Sequence, residues 1–83
     1  MVTLMQARHL AQEWSGKKVS DAGDCADKWV FGFEEFKECL GGFVVLTDKK
    51  SGKCEALGSA EFMYAILDGE ITYMPVELPE EEP

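Results

Sequence analysis

Basic residues are scarce in this 83-residue chain: eight lysines and arginines stand against sixteen carboxylates, for a net charge of −8. Nucleic-acid binding needs cations to displace condensed counterions, so direct contact with DNA or RNA is not expected. An anionic membrane surface is disfavoured for the same reason. Long apolar runs are missing too. No segment approaches the roughly 20 residues of a membrane-spanning helix, and MVTLMQARHL at the start contains neither a long apolar core nor a cleavage site. The three cysteines, Cys25, Cys39 and Cys54, are an odd number, which argues against a disulfide framework. No pair has C-x-x-C spacing, so neither a zinc knuckle nor a thioredoxin-like centre is expected. A reducing, cytoplasmic setting fits that usage.

Catalytic and metal-binding patterns are lacking as well. His9 is the only histidine, and nothing brings it to Cys25 or Ser20 as a base for a nucleophile. Asp21, Asp24 and Asp27 are spaced i, i+3, i+6, whereas a calcium loop needs D-x-[DN]-x-[DN]-G and a twelfth-position glutamate. Glu34, Glu35 and Glu38 cluster, but paired-carboxylate chemistry needs a substrate cleft that a chain this short has little room to build. The glycines do not form a phosphate loop. No enzyme activity, metal or cofactor is expected.

What is present points to one small α+β domain over residues 1–78, followed by an acidic tail, residues 79–83. The chain is 46% hydrophobic and 11% aromatic, which is enough for a core. A single core of this size is worth about 3–5 kcal/mol without staples, and a homodimer interface would add to it.

The spacing predicts a helix over residues 3–15. Thr3 and Gln6 form a capping box, Leu4, Ala7, Leu10, Ala11 and Trp14 form the apolar stripe, and Gly16 is the stop. Arg8, Gln12 and Glu13 fall on the wet side. Residues 17–20 read as a short edge strand and residues 21–27 as a polar loop. Trp29, Phe31 and Phe33 alternate with Lys28, Val30 and Gly32 as a half-buried strand. Residues 35–40 continue it or make one helical turn. Residues 43–47 and 53–57 are a hairpin around Asp48 and Gly52. Ser59 caps a second helix with Phe62, Met63, Ile66 and Leu67 as its stripe, and Gly69 ends it. Residues 71–76 suit a last edge strand that tolerates Pro75. The expected architecture is an antiparallel sheet of three to five strands with both helices on one face.

The W-x-F-x-F strand (Trp29, Phe31, Phe33), the Leu40-Gly41 step, Asp48-Lys49, Ser51-Gly52 and Leu57-Gly58-Ser59-Ala60 leading into a helix carry a resemblance. Over residues 29–66 the chain resembles the immunity protein 35 family, small bacterial proteins of polymorphic toxin systems. The resemblance implies a non-enzymatic inhibitor of a protein partner, and the net charge of −8 suggests that it occludes a basic site there. Asp21, Asp24, Asp27, Glu34, Glu35 and Glu38 are then the electrostatic contacts, with Tyr64 or Tyr73 as aromatic anchors. Two alternatives stay open. One is a phage-encoded antagonist of a defence nuclease that mimics nucleic acid; the other is a structural or oligomerising module.

Overall fold

The computed structural model describes residues 1–36 and 41–78. The elements follow in the order α1 (Leu4–Ser15), β1 (Val19–Cys25), β2 (Lys28–Phe33), a 3-10 turn (Glu34–Phe36), β3 (Phe43–Asp48), β4 (Cys54–Gly58), α2 (Ser59–Leu67) and β5 (Met74–Val76). The five strands form one antiparallel sheet, ordered β4-β3-β2-β1-β5. The α+β class, the leading helix and the helix after the β3–β4 hairpin all match the sequence pattern. Of residues 35–40, the described part ends the 3-10 turn; Lys37, Glu38, Cys39 and Leu40 lie outside the described residues.

Local chemistry sets the ends of α1. The Gln6 amide donates to Thr3 Oγ1 at 3.2 Å and the Thr3 amide donates to Gln6 Oε1 at 2.9 Å, closing the capping box. Gly16 ends the helix in the left-handed region, at φ 70°. The buried side differs from the expected stripe. Ala7 and Ala11 face the sheet, while Leu10 and Trp14 are exposed. Arg8, expected on the wet side, is only 3% exposed. Two methyl side chains let the helix sit close on its Ala7–Ala11 edge, and position 8 is their neighbour on the helix surface. Gln12 is not simply solvated either, because its Oε1 accepts the Val19 amide at 3.2 Å.

The expected polar loop at residues 21–27 is mostly strand. β1 is not at an edge but lies between β2 and β5. Pairing on both sides outweighs the poor strand propensity of Asp and Gly. A register shift between Val19 and Asp21 changes which residues face which side. The β1–β2 hairpin closes with Ala26 at φ 63°, its amide donating to Asp24 Oδ1 at 3.0 Å. The β3–β4 hairpin is as expected. Asp48 Oδ1 accepts the Lys50 and Ser51 amides at 2.8 and 2.9 Å, and Gly52 has φ 76°. Those two amides hold the Asp48 carboxyl below its usual range.

The helices lie on opposite faces of the sheet, not on one. On one side Ala7 and Ala11 pack with Val19, Ala22, Phe31, Phe33 and Val45. On the other, Phe62 of α2 packs with Cys25, Val30 and Leu46. Val30 and Phe31 are neighbours in one strand and Val45 and Leu46 in another, so each pair straddles the sheet. Lys28 and Gly32 around Val30 disguised that second face as a wet one.

Helix α2 starts without a side-chain cap. Its N-cap is Gly58, not Ser59, because β4 runs straight into it and the Ser59 amide donates to Gly42 O at 3.0 Å. Of the expected stripe only Phe62 is buried; Met63 and Leu67 are exposed. Beyond the helix Gly69 takes φ 76°, as its placement suggested. The last strand is an edge containing Pro75, as expected, but spans only Met74–Val76 of residues 71–76.

Candidate functional site

The α2 face is incompletely covered, for a geometric reason. The chain leaves β4 at one edge and must reach β5 at the other. Five strands are about 19 Å wide, whereas the nine residues of α2 reach only about 14 Å. What remains open beside the helix is a groove of about 490 Å³. Val30, Gly32 and Val44 line its sheet side, and Phe62 and Tyr73 its helix side. Asp21 and Glu77 also line it, and both are exposed.

Tyr73 shapes this groove. It meets Phe62 edge-on, with centroids 5.5 Å apart and an interplanar angle of 88°. Gly23 lies against it: a Cβ at that position would overlap Cε1 at the edge of the Tyr73 ring. A glycine in mid-strand therefore marks a close approach and not a turn. Burial, then the nearby Cys25 and Asp21, pushes the Tyr73 hydroxyl above its ordinary pKa. Gly32 leaves space for Asp21, whose Oδ2 accepts Ser20 Oγ at 2.9 Å.

The residues expected to bind a partner do not form one patch. Asp21 faces the groove, while Asp24 is on the α1 side, bonded to Lys49 Nζ at 2.7 Å. The same Nζ stands 4.3 Å from the centroid of the Trp29 ring, whose Nε1 donates to Val2 O. Asp27 is in the β1–β2 turn, and its carbonyl accepts the Lys49 amide at 3.0 Å. Glu34 and Glu35 are at the opposite end of that hairpin, with the six residues of β2, about 20 Å at the usual strand rise, between them and Asp27. Glu35 holds Lys17 at 2.5 Å. Glu38 lies outside the described residues. Tyr64 is 66% exposed on the outer side of α2, and Tyr73 is a half-buried wall of the groove.

Other residues emerge in their place. Met63, Tyr64 and Leu67 make a contiguous outward apolar face on α2, at 62, 66 and 74% exposure. Glu61, Asp68 and Glu70 flank it in the chain and are exposed. A sequence signal for this was available. Residues 1–53 hold eight acids and eight bases, whereas residues 54–83 hold eight acids and no base. The whole net charge thus belongs to the segment that begins at β4 and includes α2 and β5.

Burial, then the Asp24 charge, raises the Cys25 thiol pKa, which keeps it a poor nucleophile. Cys25 is in the α2-side core and His9 is exposed on α1, so the sheet separates them. Among the described residues no group of three or more His, Cys, Asp or Glu is placed to hold a metal ion. No described helix is long and apolar enough to cross a membrane. Compared with known proteins, the chain matches no family model, no curated protein and no solved structure.

Proposed function

We propose that this chain is a non-enzymatic protein-binding inhibitor, resembling a toxin immunity protein, that covers a basic site on its partner with the α2 side. One observation carries the reading: α2 is apolar on both sides. Phe62 packs inward, and Met63, Tyr64 and Leu67 point outward. A helix apolar all round belongs in an interior, and contiguous exposed apolar residues mark an interaction surface. The segment around them has no base, so a basic partner is steered to it and held by the apolar centre. The resemblance over residues 29–66 points the same way.

Two rivals draw less support. A nucleic-acid mimic needs a row of carboxylates, but the sheet separates Asp21 from Asp24, and Asp24 and Glu35 each hold a lysine. In a homodimer through α2, Glu61, Asp68 and Glu70 of two copies would crowd together. The test is capture from lysate of the source organism at low salt, followed by titration of the purified partner. A basic protein should bind, dissociate at high salt and lose its activity when bound. Tyr64→Ala should weaken that binding by about 2 kcal/mol and change folding stability by no more than about 0.5 kcal/mol. Self-association through α2 without a partner, or a partner indifferent to Tyr64→Ala, would overturn the reading.

A further inference from the structure

We propose that the groove beside α2 is a receptor for one arginine side chain of the protein partner. This rests on the inhibitor reading and deepens it. The volume, about 490 Å³, is within the usual range of ligand clefts. Its chemistry suits a cation on an apolar stem: Val30 and Val44 line the sheet side, Phe62 and Tyr73 are aromatic walls, and Asp21 and Glu77 are carboxylates. Among the described residues no lysine or arginine lines it.

Part of the acidic surface is already neutralised within the chain. Asp24, Glu35 and Glu55 each hold a lysine, at 2.7, 2.5 and 2.6 Å. Among the described residues no lysine or arginine pairs with Asp21 or Glu77. Asp21 and Glu77 are therefore among the exposed carboxylates left for a partner, and they are the two that line the groove. Arginine suits them better than lysine, because its planar guanidinium stacks on aromatic faces while its forked donors reach a carboxylate.

Gly32 permits a clean test. A Cβ there would stand 3.6 Å from Asp21 Oδ2, its nearest neighbour, in ordinary contact. Gly32→Val therefore fills the sheet side of the groove with a side chain suited to a strand. The probe is acetyl-Gly-Arg-Gly-amide, titrated into the ¹⁵N-labelled protein by NMR, with the citrulline peptide as its neutral isostere. The arginine peptide should give saturable shifts at the Asp21, Gly32 and Tyr73 amides. The citrulline peptide should bind at least about fivefold more weakly, and both Gly32→Val and Asp21→Asn should weaken arginine binding by a similar factor. Absent shifts, equal binding of the two peptides, or an unaltered Gly32→Val titration would overturn the proposal. The two readings fail separately. A partner that needs Tyr64 yet binds Gly32→Val as well as wild type leaves the inhibitor standing and removes the arginine. Arginine-peptide binding with no protein partner leaves the groove standing and removes the inhibitor.

Discussion

The α1 side of the sheet carries a helix closed at both ends, by the Thr3–Gln6 box and by Gly16, and two fully buried alanines seat it. The α2 side carries a shorter helix without a side-chain cap, one buried phenylalanine and an open groove. Both helices serve the same five strands, so strand pairing does not cause the difference. Each helix leaves large apolar residues in solvent, but α1 exposes two, Leu10 and Trp14, at 37 and 53%, whereas the shorter α2 exposes three, Met63, Tyr64 and Leu67, at 62, 66 and 74%. That asymmetry places the better-sealed packing on one side and, under the proposed function, recognition on the other.

Truncating one phenylalanine on each side should expose the contrast most strongly. Phe31 is fully buried beneath α1, and Phe31→Ala should cost about 3–5 kcal/mol. That is comparable to the whole stability of a small core, so the variant should be largely unfolded by circular dichroism. Phe62→Ala should cost about 2 kcal/mol, because its cavity opens into the groove and does not remain a sealed void. Equal urea midpoints for the two variants would remove the asymmetry.

The helix caps give a smaller contrast. Thr3→Ala breaks the box and should cost about 1 kcal/mol, lowering the melting temperature by about 4–8 °C. Gly58→Ser should add a few tenths of a kcal/mol, since it supplies the hydroxyl that α2 lacks. A Cβ at 58 meets only Glu61, at 3.8 Å, so it has room. A Gly58→Ser variant less stable than wild type would mean that the close β4–α2 junction leaves no freedom for a cap.

The parts legible in the sequence are those determined by neighbours in the chain. Thr3 with Gln6, Gly16, and Asp48 with Gly52 each make a local bond or turn, and each ended its element where expected. β1 was illegible because Asp21, Gly23 and Asp24 have turn chemistry; only β2, β5 and the Tyr73 ring make that segment a strand. Arg8 was misplaced because alanine, the residue that seats α1, contributes little to an apolar stripe. The groove was illegible for a third reason. It arises from the mismatch between the length of α2 and the width of the sheet, which no residue encodes alone. The distribution of charge was legible in principle, but the net charge of the whole body concealed that it is confined to residues 54–83.

The smallest expected effect tests whether the open side is also the side that responds to alkali. Cys25 and Tyr73 both belong to the α2-side cluster, and burial is the leading cause of the raised pKa of each. Below their ordinary values both are protonated in the folded and unfolded chains alike, and stability is independent of pH on their account. As pH rises through those values, the unfolded chain loses its protons first while the native groups keep theirs. Stability therefore falls with rising pH and levels off once the native groups ionise too. Only two groups contribute and Tyr73 is half-buried, so the decline should be shallow. Urea midpoints measured from pH 7 to pH 11 should drift downward, and Cys25→Ala with Tyr73→Phe should flatten that drift. An alkaline decline unchanged in the double variant would place its source in other groups, such as Lys28, whose pKa the hydrogen bond to Glu55 raises, and would remove Cys25 and Tyr73 from the distinction between the two faces.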